Sequence, residues 1–118
     1  MLYTLSKVMN PEKFLAEIRK QQMRFFPEAR FVVMEELSFY AKIRLVIKEE
    51  LFIEVRCNFR SLGQSYVLVK QKERIAGFDN LSGWHFHPPG KADTHQKIRK
   101  PSLEEIFEKF HKLVFEFA

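Results

Sequence analysis

The sequence predicts a single α+β domain, an antiparallel meander of about five strands with an N-terminal and a C-terminal helix packed on one face. Three observations predict it. Residues 10–26 and 102–117 carry apolar side chains at helical spacing, residues 31–80 alternate with a period of two, and the breaks between the alternating runs are too short for parallel crossovers. A chain of 118 residues is the length of one ordinary domain, and 46% hydrophobic residues, including thirteen Phe, supply one core.

The first helix opens at Asn10-Pro11. An Asn side chain accepts from an orphan N–H of the first turn, and Pro suits the first helical position. Phe14, Leu15, Ile18, Gln22 and Phe25 then form one mostly apolar stripe, which Pro27 stops. Strands are expected at 31–37, 41–48, 51–58, 64–72 and 74–80, with Gly63 marking the clearest turn. In the second, Ala41, Ile43, Leu45 and Ile47 share a core face while Lys42, Arg44 and Lys48 face away. In the third, Leu51, Ile53, Val55 and Cys57 oppose Phe52, Glu54, Arg56 and Asn58. In the fourth, the alternation is read with Val67 and Val69 on the core face and Tyr66, Leu68, Lys70 and Lys72 on the other. That places Tyr66 among basic side chains, a surface suited to RNA backbone, and leaves Phe52 and Leu68 as an exposed apolar group hinting at a homodimer.

The last helix is announced by a capping box, Ser102-Leu103-Glu104-Glu105, directly after Pro101. Leu103, Ile106, Phe107, Phe110, Leu113, Val114 and Phe117 form its apolar stripe, each worth about 1.5–3 kcal/mol on burial before entropy is subtracted. His111, on the flank of that stripe, reads as structural. The lone Cys57 reads as a small buried residue rather than a nucleophile.

No stretch approaches the roughly 20 apolar residues of a membrane span, and residues 1–7 lack the pattern of a secretory leader, so the expected compartment is the cytoplasm, with no membrane partner. The net charge of +5 is concentrated: residues 70–100 hold Lys70, Lys72, Arg74, Lys91, Lys97, Arg99 and Lys100 against Glu73, Asp79 and Asp93. Such a surface suits a polyanion or an acidic protein; it also suits the solvated face of a heat-adapted protein. Glycine-rich phosphate loops, Gly-x-Ser-x-Gly elbows and paired cysteines are missing, which sets those enzyme classes aside.

Residues 79–100 form the connection that could carry chemistry. It holds Trp84, His85, His87, His95 and Pro88-Pro89, and loops of this length in a small domain are usually functional or disordered; the aromatic residues and paired prolines argue against disorder. An extended 84–87 segment points His85 and His87 to one side. Cleavage of RNA by its own 2′-OH needs a base, an acid and nearby cations, which imidazoles with Lys91, Lys97, Arg99 and Lys100 supply. Three His ligands with an open position equally suit zinc, with Asp79 or Asp93 joining or orienting a ligand. A purely architectural reading, with Asp79 and Asn80 in turn hydrogen bonds and Trp84 plugging the sheet end, is also open.

At these residues the chain resembles the TumE-like family of small prokaryotic proteins, toxins of type II toxin–antitoxin pairs. The resemblance spans roughly the C-terminal two thirds. It consists of a meander running into Arg74-Ile-Ala-Gly-Phe-Asp-Asn80, a His- and Pro-bearing loop, a later His, and Pro-Ser-Leu-Glu-Glu opening the final helix. Phe78-Asp79-Asn80 matches the family's aromatic-Asp-Asn, His87-Pro88 its His-Pro, and His95 its later histidine. The sequence departs from the family where Leu81-Ser-Gly-Trp84 intervenes and the histidines are spaced as His85-x-His87.

The resemblance implies a growth-inhibiting partner of a cognate antitoxin protein, with RNA as target. The mechanism expected is metal-independent RNA cleavage. His87 and His95 form the acid/base pair, Asp79 orients one of them, and His85 supports. Trp84, Lys91, Lys97, Arg99 and Lys100 contact substrate. The alternatives are a non-catalytic RNA- or protein-binding module on the same face, or a hydrolase with zinc on His85, His87 and His95.

Overall fold

In a computed structural model, residues 10–91 and 94–117 are described. Residues 1–7, Asp93 and the side chain of Phe117, each used in the sequence reading, lie outside what is described. The chain runs α1 (Pro11–Phe25), β1 (Arg30–Leu37), β2 (Tyr40–Lys48), β3 (Leu51–Asn58), β4 (Gln64–Lys70), β5 (Glu73–Asp79), β6 (His85–His87), β7 (Gln96–Lys97) and α2 (Leu103–Phe117). The strands form one sheet in chain order, every neighbouring pair antiparallel. The architecture is α+β, with seven strands rather than about five.

Both helices are held by the caps their sequences offer. Asn10 Oδ1 accepts from Lys13 N–H at 3.1 Å. Ser102 Oγ accepts from Glu105 N–H at 3.0 Å, and Glu105 Oε1 accepts in return from Ser102 N–H at 2.8 Å, satisfying two orphan donors. At the other end of α1 the buried Gln22 amide donates to the carbonyls of Phe26 and Ala29, at 2.8 and 3.2 Å, closing the turn into β1.

The helices lie on one face of the sheet. Phe14, Ile18 and Phe26 from the α1 region and Ile106, Phe107, Phe110 and Leu113 from α2 join Ile43, Leu45, Ile53, Val55, Tyr66, Leu68 and Phe78 in one buried cluster. The Phe78 and Phe110 rings meet edge to face at 5.6 Å, and His111 sits among Phe25, Phe26 and Phe115 at the seam between the helices. Cys57 is fully buried, and that burial pushes its thiol up to about 12. Among the described residues no helix is long and apolar enough to cross a membrane.

The faces of β4 are the reverse of the sequence expectation. Tyr66 and Leu68 are in the core, at 0% and 1% exposure, while Val67 and Val69 are half-buried on the opposite face. The run Tyr66-Val67-Leu68-Val69 is apolar throughout, so its phase comes from β3, where Val55 pairs with Tyr66 and Ile53 with Leu68. Tyr66 therefore does not belong to the basic face; its hydroxyl donates to Gln64 Oε1 at 2.6 Å, and burial pushes its ionisation far up. Leu68 is likewise no part of an exposed apolar pair with Phe52, whose ring lies under the Arg44 guanidinium at 4.4 Å.

Candidate functional site

The connection expected to be a loop carries two short strands, β6 and β7, added to the edge of the sheet. After β5 the chain reverses through Ser82 and Gly83, both at positive φ, and β6 returns along β5 with Asp79 opposite His85 and Gly77 opposite His87. A second reversal follows at Pro88-Pro89-Gly90-Lys91. Lys91 N–H donates to the Pro88 carbonyl at 3.2 Å and Gly90 has φ 75°, the third-position conformation of a type II turn, with Pro89 suited to the position before it. β7 then pairs with β6, Lys97 opposite His85 and Gln96 opposite Phe86, so that His95 arrives beside His87.

Strand alternation sorts this hairpin by chemistry. Phe86 is buried against Phe78, ring centroids 4.8 Å apart, and Trp84 packs against the core. The residues between and after them, His85 and His87, consequently share the open face. Cross-strand neighbours there form two adjacent rows: Lys42, Arg56, Ser65, Asp79, His85 and Lys97 in one, Arg44, Glu54, Val67, Gly77 and His87 in the other. The His95 ring completes the second row, 4.5 Å from His87 and 5.6 Å from His85 by centroids.

His87 Nε2 donates to Asp79 Oδ2 at 2.7 Å, and because the carboxylate only accepts, Nε2 carries the hydrogen. Asp79 Oδ1 accepts from Leu81 N–H at 3.1 Å. The next residue, Asn80, clamps the β3–β4 turn, accepting from Gln64 N–H at 2.7 Å and donating to the Leu62 carbonyl at 2.8 Å. His87 is 4% exposed, His85 is half-buried with its Nδ1 buried and unpaired among the described residues, and His95 is exposed.

A hollow of about 320 Å³ adjoins this cluster, lined by Asp79 and His87 on one side and by Glu54, Arg56, Val67, Val69, Lys72, Arg74 and Gly77 on the others. Glu54 links two guanidinium groups, its Oε1 accepting from Arg44 Nε at 2.9 Å and its Oε2 from Arg56 Nε at 3.0 Å and Nη2 at 2.8 Å. Burial raises its carboxyl, but Arg44, Arg56 and Lys42 together outweigh this and hold it below the usual carboxylate range.

The structure thus gathers Asp79, His85, His87, His95 and Lys97. Lys91 stands exposed at the second turn. Trp84 turns to the core, and Arg99 is tied to Glu105 of α2 at 3.0 Å, so neither joins the cluster; Lys100 is exposed in the connection to α2. Among the described residues no group of three His, Cys, Asp or Glu side chains is disposed to hold a metal ion. Glu54, Val67, Val69 and Gly77 enter the site unannounced; only strand register, which unites residues far apart in sequence, could have found them. No family model, no curated protein and no solved structure matches the chain.

Proposed function

We propose that this protein is an RNA-directed toxin of the TumE-like kind, working in the cytoplasm and restrained by a cognate antitoxin, and that it cleaves RNA without a metal. The observation that supports the reading is the grouping of three imidazoles and one carboxylate on the rim of a cationic sheet face. A neutral imidazole takes the 2′-hydroxyl proton as the 2′-oxygen bonds to the adjacent phosphorus. The P–O5′ bond breaks, and an imidazolium gives its proton to the departing 5′-oxygen, leaving a 2′,3′-cyclic phosphate and a 5′-hydroxyl.

His95, the exposed ring, and His85 exchange the protons in this scheme. His87 is too enclosed to reach a phosphodiester directly, and with Asp79 it is a positioning unit behind His95. Lys97, opposite His85, offers charge to the phosphorane.

Induced expression of wild type, His95→Ala and His87→Ala in a bacterial host tests the reading, with growth and total RNA integrity scored and folding verified. Arrest with degraded RNA, relieved by His95→Ala and undiminished for purified protein in EDTA, is expected. Folded wild type that leaves growth and RNA intact overturns it. The enclosed, paired state of His87 favours a second reading, a non-catalytic binding module, which RNA binding without cleavage would select. Cutting lost in EDTA and restored by zinc would select a metal site on His85, His87 and His95.

A further inference from the structure

The histidine chemistry leaves the neighbouring hollow without a role. Its middle is apolar and open: Val67 and Val69 present half-buried side chains on the open face, and Gly77, between Val67 and His87 in the same row, presents none. A Cβ on Gly77 would stand 3.1 Å from the Tyr66 carbonyl oxygen and 3.6 Å from Val67 Cγ2, so the close approach of β4 that favours glycine here also keeps the depression open.

The charged wall has an unusual state. The Arg56 guanidinium donates through Nε and Nη2 to Glu54 Oε2, which orients its plane and, shared with Arg44, partly offsets its charge, although the side chain is 50% exposed. A guanidinium held this way offers a flat stacking surface more than a phosphate clamp. Lys72 and Arg74, exposed on the same rim, are the groups suited to phosphate.

We propose that the hollow is a base subsite: it takes one unstacked nucleobase of a single-stranded RNA over Val67, Val69 and Gly77, with Arg56 against the base and Lys72 and Arg74 on the adjoining phosphates. The inference rests on the RNA reading above and adds to it the single-stranded form of the substrate and the side chains that hold a base beside the histidines.

The test is fluorescence anisotropy with a short fluorescein-labelled 2′-O-methyl oligoribonucleotide, which has no 2′-hydroxyl to attack, beside an abasic oligomer of the same length. Wild type binds the base-bearing oligomer about tenfold more tightly. Val67→Phe, which fills the hollow without changing charge, loses that preference and leaves abasic binding unchanged. Arg56→Lys keeps the charge, lacks the plane and also loses the preference, which keeps the test open if Val67→Phe fails to fold. Arg74→Gln weakens both oligomers alike and lowers the salt dependence by about one counterion. Equal wild-type affinity for the two oligomers, or a preference that survives in both folded variants, overturns the base subsite while leaving RNA binding intact. No affinity for either oligomer overturns the RNA reading itself.

Discussion

The bond between His87 and Asp79 should carry a large share of the local stability of the β5–β6 hairpin. Asp79→Ala removes the carboxylate that accepts from an imidazole 4% exposed, and losing that buried bond costs about 1–3 kcal/mol. The second bond lost, to Leu81 N–H, adds little, because Leu81 is exposed and water replaces the carboxylate. The expected total is about 2 kcal/mol, a fall in Tm of about 6–10 °C for a domain of this length. His87→Phe leaves the carboxylate without its partner but fills the same space, and Asp79→Ala/His87→Phe should cost less than the two single changes added together. Urea unfolding of all four proteins gives the coupling energy, expected at about 1.5–2 kcal/mol. A coupling near zero, with an Asp79→Ala loss under about 0.5 kcal/mol at unchanged m, would refute the claim that this pair is a rigid positioning unit.

Other consequences are equally open to measurement. Glu54 has its carboxyl lowered by Arg44, Arg56 and Lys42 against the opposing effect of burial, so its stabilising contribution is present above its ordinary value of 4.5 and is lost as pH falls through the lowered one. The stability gap between wild type and Glu54→Gln should therefore close on acidification below about pH 4.5 in urea midpoints, and a gap that widens there contradicts the assignment. Cys57, its thiol pushed up to about 12, should ignore a disulfide reagent at pH 8 in the folded protein and react fully in denaturant. Because that group is raised, its effect runs the other way: stability is intact below the ordinary value of 9.0 and is lost as pH rises from there toward 12. Glu50 sits at φ 61° in the β2–β3 turn, so Glu50→Gly should gain about 0.5 kcal/mol, the left-handed penalty removed less the added chain entropy; a loss in thermal melts counts against the turn geometry. Ser102→Ala, which removes the α2 cap, should lose about 1 kcal/mol in the same melts.

What was legible in the sequence was what is decided within a few residues. The Asn10 and Ser102 caps and the alternation of β2 and β3 follow from side chains that act on their own neighbours. The phase of β4 was not legible, because four consecutive apolar residues carry no period and only pairing with β3 chooses a face. The turn at Gln71 and Lys72, at φ 50° and 68°, was not legible either: two-residue hairpin turns of this kind ordinarily use Asn or Gly, and here polar residues with long side chains adopt the conformation. At the site, the histidines and Asp79 stood out as residue types, but the pairing of Asp79 with the more enclosed ring and the approach of Glu54, Arg56 and Gly77 belong to tertiary register.

β6 and β7, of three and two residues, are too short for any periodic signal, yet they give the histidines their direction. The alternation that sends Trp84 and Phe86 into the core sends His85 and His87 to the open face, so the apolar anchors and the imidazoles are interleaved along one extended segment. A histidine-bearing loop of the same composition without those anchors would have to order each imidazole separately, against the rotamer and backbone entropy of every residue involved. Built into the edge of a sheet, the rings inherit the register of β5, and Asp79 needs to fix only one of them. The edge strand β7 is short and polar, with Gln96 and Lys97 exposed, a composition that discourages a further strand from pairing there.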